Sequence, residues 1–188
     1  HPGWEAGAGG GRAFNHLYGF GAADAQAALA LATNWTSVGG SSTLQSCEVP
    51  ANAAAFPIAL PDAPASGAPQ VRENAIAVSC PITRIEYVEI GFSAANASGV
   101  ADRFTGDLRI ELVSPTGTMS RLADSRLCES SLDSDSVPDS CGLYQDWRFT
   151  SVRHLDESAS GTWTLRVSDR INQDSGTWTG WHLRFWGR

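Results

Sequence analysis

Apolar and polar residues alternate most strictly along Gly106–Thr118, which reads GDLRIELVSPTGT. Leu108, Ile110 and Leu112 fall on one face of a strand and Arg109 and Glu111 on the other. Ser114-Pro115-Thr116-Gly117 then stops the strand: proline at the second turn position presets φ, and glycine suits the fourth. Thr118–Leu122 starts a returning strand, so the stretch predicts a β-hairpin. The same alternation recurs over Gly161–Ser168, with Trp163, Leu165 and Val167 on one face, and over Thr179–Gly187. There Trp181, Leu183 and Phe185 alternate against His182, Arg184 and Trp186. Val88, Ile90 and Phe92 mark a strand over Arg84–Phe92, and Ala75–Ser79 and Pro57–Asp62 are shorter candidates, the last an edge strand ended by proline. Strands with one apolar face need a second sheet to cover them, which predicts an all-β sandwich. Only Ala22–Thr33 departs from this pattern, as a run of strong helix formers with Asp24 in its first turn.

Composition narrows the reading. At 188 residues the chain suits one domain, or one domain with a small appendage. The net charge of −7 argues against nucleic acid or an anionic membrane as partner, and no apolar run reaches the ~20 residues of a membrane span. No signal-peptide pattern opens the chain, and its abrupt Gly-rich start predicts a processed or excised terminus. Cys47, Cys80, Cys128 and Cys141 form no CxxC pair and lie at no zinc spacing, so disulfides in an oxidising compartment are expected: a secreted, periplasmic or cell-surface protein. Three pairings are possible, of which Cys47–Cys80 with Cys128–Cys141 is favoured. Ser37–Ser46 is Gly/Ser-rich and reads as linker.

Two stretches carry a family resemblance. Phe14-Asn15-His16-Leu17-Tyr18-Gly19-Phe20-Gly21, leading into a helix near Asp24-Ala25, resembles the closing segment of a subtilisin-like catalytic domain of the kexin/furin type. From about residue 56 onward, the Gly106–Thr118 pattern is similar to the P domain that follows that catalytic domain. So are Asp146-Trp147-x-Phe149, His154, Glu157, Gly161, Trp163 and the terminal Trp181-x-Leu183, in the same order. The resemblance implies a jelly-roll β-sandwich of about eight strands preceded by one short helix. It divides the chain into a catalytic-domain tail (1–36), a linker (37–55) and a P-like domain (56–188). Leu155 stands where the convertases carry tryptophan, and the Cys128–Cys141 loop is an insertion. The implied protein is a secreted, calcium-dependent serine endopeptidase, whose P domain packs on and stabilises the catalytic domain of the same polypeptide.

The chain alone is expected to be inactive. Neither Gly117-Thr118 nor Gly161-Thr162 is followed by the serine that a subtilisin nucleophile requires, and GxSxG and HExxH are absent. His16 is expected to serve its turn, and His154 and His182 to be structural. For calcium, Asp107, Asp146, Asp169 and Asp174 each sit where a strand meets a loop and could converge at one end of a sandwich, whereas Asp133, Asp135 and Asp139 read as a solvated loop. Trp163, Trp181 and Trp147 fit the core pattern. Trp178 and Trp186 fall on the opposite phase and are expected to be exposed, as a docking face with His16, Tyr18 and Phe20 or, alternatively, as the face of a carbohydrate- or protein-binding jelly roll.

Overall fold

A computed structural model describes residues 2–7, 12–51, 53–96, 103–126, 141–172 and 175–188. In chain order the strands are β1 (Trp4–Glu5), β2 (Phe14–Asn15), β3 (Gln45–Pro50), β4 (Ile58–Leu60), β5 (Arg72–Val78), β6 (Ile85–Asn96), β7 (Leu108–Val113), β8 (Met119–Ala123), β9 (Tyr144–Ser151), β10 (Gly161–Asp169) and β11 (Gly176–Gly187). Among the described residues one α-helix, α1 (Ala25–Ala32), lies between β2 and β3, and Asp24 caps it by accepting from the Ala27 N–H at 2.9 Å.

Two antiparallel sheets face each other. One is ordered β5-β10-β7-β8; the other is ordered β3-β11-β6-β9, with β4 also paired to β11. The chain changes sheet at nearly every connection, as in a jelly roll, and β7–β8 is the hairpin that the alternation predicts. Its turn closes through the Gly117 N–H to the Ser114 carbonyl at 3.0 Å. The inward residues of β6, β7, β10 and β11 form one continuous core, in which Ile90, Ile110, Leu112, Trp163, Leu165, Leu183 and Phe185 are wholly buried.

The sandwich is fastened along both sides. Cys47 of β3 is bonded to Cys80, just past β5, with their Cα atoms 6.2 Å apart, so the favoured first disulfide ties the two sheets at one edge. At the other edge the Ser120 and Ser151 hydroxyls meet at 2.7 Å across β8 and β9. Cys141 is disulfide-bonded. Cys128, Asp133, Asp135, Asp139 and Asp174 lie outside the described residues.

Three expectations need correction. Residues 45–50, expected to be linker, form β3 and pair with β11 from Pro50↔His182 to Gln45↔Gly187, so the sheet begins inside the predicted linker. Trp178, expected on the surface, is 0% exposed, because a β-bulge between Trp178 and Gly180 adds Thr179 to the strand and turns both Trp178 and Trp181 inward. Trp147, expected in the core, is 56% exposed. It has the inward phase of Phe149, but β9 is an edge strand and β8 ends at Ala123, leaving Trp147 on the rim of an open groove with Leu122 and Tyr144.

Candidate docking interface

The β9–β10 connection, residues 152–160, carries three buried polar side chains close together, Arg153, His154 and Glu157. Its backbone is fixed on both sides. The Ile85 N–H donates to the Glu157 carbonyl and the Asp156 N–H to the Ile85 carbonyl, each at 2.9 Å, while the Ala159 N–H reaches the Ile82 carbonyl at 3.0 Å. Asp156 takes a φ of 70°, a turn conformation open to aspartate, and this separates the inward from the outward side chains.

Two side chains point in. Glu157 is 1% exposed and accepts from the Thr116 hydroxyl at 2.9 Å; Ser114 and Thr118 stand behind Thr116 in the same turn. His154 is fully buried, with Nδ1 3.8 Å from Glu157 Oε1 and its ring edge-on to Trp163 at 4.9 Å. Burial alone would raise the Glu157 pKa. Contacts with His154, Thr118 and Ser114 outweigh it and lower the value to about 2. Gly161 makes this assembly possible: a Cβ there would lie 2.6 Å from Pro115 Cγ, so the Ser114–Thr118 turn approaches β10 only over a glycine. Glutamate, histidine, glycine and tryptophan of the 154–163 pattern thus serve one buried joint between the β7–β8 turn and the loop.

Two other side chains hold the N-terminal segment. Arg153 is 7% exposed; its Nη2 donates to Glu5 Oε2 at 2.8 Å, and its guanidinium lies 4.7 Å from the centroid of Phe14. Glu5 Oε1 is 3.1 Å from His16 Nε2. The Arg153 hydrogen bond holds the Glu5 carboxyl below the usual range, against partial burial and with help from His16. Asp156 accepts from Arg84 at 2.7 and 3.2 Å and from Arg12 at 3.1 Å; Arg84 first, opposed by burial, and then Arg12 set its lowered pKa. Beside them a cavity of about 310 Å³ is lined by Arg12, Val38, Arg84 and Leu155.

The predicted site residues separate accordingly. His16 and Phe20 belong to the docked segment, Phe20 against Phe14 at 5.4 Å, while Tyr18 is half exposed. Trp186 is half-buried on the outer face of its sheet, stacked on Tyr87 at 5.7 Å, and Trp178 is core, so the two form no common face. Of the three described aspartates among the predicted ligands, Asp107 and Asp169 are neighbours and Asp146 stands apart. Asp169 is buried at the end of β10 and accepts from the Ile171 N–H at 3.0 Å, and the Asp107 carbonyl beside it accepts from the Arg170 N–H at 3.0 Å. Asp146 lies on the other sheet, 3.5 Å from His182 Nδ1. Among the described residues no three histidine, cysteine or acidic side chains gather as metal ligands, so Asp107, Asp146 and Asp169 do not make a calcium site together. Sequence reasoning missed Glu5, Arg12, Arg153 and Asp156, since ion pairs between distant loops leave no period in the sequence.

Residues 100–185 match the family model of the proprotein convertase P-domain. They are a proprotein convertase P-domain. Similarity extends ahead of the P domain: proprotein convertase subtilisin/kexin type 6 of Rattus norvegicus is 30% identical over 190 residues, covering 95% of this chain and 18% of that protein. Human furin is 31% identical, covering 94% of this chain and 20% of its own length. Protease KEX1 of Kluyveromyces lactis is 26% identical, covering 94% and 21%. The chain thus spans about a fifth of these relatives. In structure it is similar to the serine protease of Aeromonas sobria, seen in complex with its chaperone ORF2. The TM-score is 0.70 at 28% identity, over 99% of this chain and 33% of that one. Among the described residues no helix is long and apolar enough to cross a membrane.

Proposed function

We propose that this P domain is the non-catalytic part of a secreted, kexin/furin-like subtilase, and that it packs on and stabilises the catalytic domain of the same polypeptide through residues 1–36, the last segment of that domain. The observation that carries this reading is the two-sidedness of the segment. One side is pinned to the sandwich through Glu5–Arg153 and Arg12–Asp156. The other side leaves Leu17, Leu29, Leu31 and Trp35 exposed, and no residue of α1 is buried. An Ala/Leu helix with nothing over it has an apolar surface that a larger body would cover. The Cys47–Cys80 disulfide agrees with an oxidising destination.

Hydrogen exchange tests the reading. In the 188-residue chain the amides of α1 are expected to exchange freely. In a longer polypeptide carrying the preceding catalytic body they are expected to be protected by about tenfold or more. Free exchange in both would overturn it.

Calcium dependence belongs, on this reading, to the catalytic body. A thermal melt of the 188-residue chain is expected to shift by less than about 2 °C between excess EDTA and millimolar calcium. A large upward shift would place a calcium site within this chain and redirect attention to Asp107, Asp169 and Asp174.

A further inference from the structure

The sandwich carries a charge that it does not itself balance. Arg153 is more than nine-tenths buried, yet its Nη2 partner, Glu5, and the ring over its guanidinium, Phe14, both come from the N-terminal segment, and its Nε has no hydrogen-bond partner. Among the described residues Glu5 is the carboxylate within ion-pair distance of it. The segment that covers the guanidinium also brings its counter-charge, which a guanidinium taken out of water requires. Three residues further on, Asp156 faces outward and takes Arg12 from the segment beside Arg84 from the sandwich. The loop therefore asks three things of its occupant: a carboxylate for Arg153, an aromatic ring over the guanidinium, and a cation for Asp156. The segment supplies all three. His16, 3.1 Å from the far oxygen of Glu5, orients the carboxylate that reaches Arg153.

We infer that loop 152–157 is the seat on which a P domain of this kind holds the end of the chain that precedes it, with Arg153 as the positioning residue and Glu5 as its counterpart. The inference rests on the reading above only for the identity of the occupant as the end of a catalytic domain. The seat itself belongs to this chain, so the two can fail separately.

The test is hydrogen exchange on the 188-residue chain. The Asn15 and Gly19 amides, each bonded to the other residue's carbonyl at 2.8 and 2.7 Å, report the docked turn, and those of Ile90 and Leu165 report the sandwich. Arg153→Met is expected to speed exchange at Asn15 and Gly19 by about tenfold or more while leaving Ile90 and Leu165 unchanged. Glu5→Gln is expected to release the turn to the same extent, with the melting temperature of the sandwich unchanged in both variants, since release returns Arg153 to water. The double variant is expected to match Arg153→Met alone. Retained protection at Asn15 and Gly19 in both single variants would overturn the inference. So would strictly additive effects, or fast exchange at both amides in the unsubstituted chain. If Arg153→Met exchanges throughout, Glu5→Gln with an intact core decides.

Discussion

Glu157→Ala is expected to lower the stability of this chain by about 3 kcal/mol at neutral pH, because it removes a buried carboxylate and strands the Thr116 hydroxyl that donates to it. The carboxylate is the centre of the joint: Thr116 donates to it, Ser114 and Thr118 back Thr116, and His154 faces its other oxygen. Glu157→Gln keeps an acceptor for Thr116 and is expected to cost about half as much. The pH profile separates charge from packing. The Glu157 pKa lies at about 2 in the folded chain against an ordinary 4.5, so the unfolded chain takes up this proton more readily. The contribution of the group is therefore complete above pH 4.5 and is lost as the pH falls from there towards 2. Urea denaturation of the parent and Glu157→Gln proteins across that window should converge at the acid end. Curves that stay parallel would show that the carboxylate is held by packing alone.

That joint also marks how far the sequence could be read. The Leu108, Ile110, Leu112 alternation predicted β7, and the Ser114–Gly117 turn residues predicted the hairpin, because a half-buried strand writes its two faces directly into the chain. The inward phases of β6 and β10 were legible for the same reason. β3 was not. Its Cys47 and Val49 alternate with Ser46 and Glu48 over only a few residues, next to a Gly/Ser-rich run, and as an edge strand it buries little of either side. Trp147 failed differently, since periodicity assigns a face but does not tell whether anything covers it. The docking seat lies beyond both limits. Glu5 and Arg153 are 148 positions apart, and each alone is an ordinary charged loop residue.

Trp178→Ala is expected to cost about 4 kcal/mol, while Trp186→Ala is expected to cost less than about 1 kcal/mol, although the two residues share a phase in the sequence. Trp178 is fully buried between Phe56 at 5.4 Å, Phe92 at 6.0 Å and Trp181 at 6.2 Å, and its Nε1 donates to the Gly180 carbonyl at 3.1 Å. Alanine there opens a cavity lined by Phe56, Phe92 and Trp181. Trp186 sits on the outer face, where its Nε1 meets Glu89 at 3.0 Å and its ring stacks on Tyr87, so truncation exposes no core. What reverses the expected order is Thr179. On β6, Trp178 opposes Ala94 and Gly180 opposes the adjacent Ser93, which leaves Thr179 as the extra residue of the bulge. Deleting Thr179 removes the bulge: Trp178 and Gly180 then follow one another opposite Ala94 and Ser93, both tryptophans stay inward, and Gly176–Trp178 keeps its pairing with Leu60–Ile58. The deletion is therefore expected to cost much less than Trp178→Ala, measured by urea denaturation under the same conditions. If the deletion proves as damaging as Trp178→Ala, the core requires the local twist of the bulge and not only the inward face of Trp178.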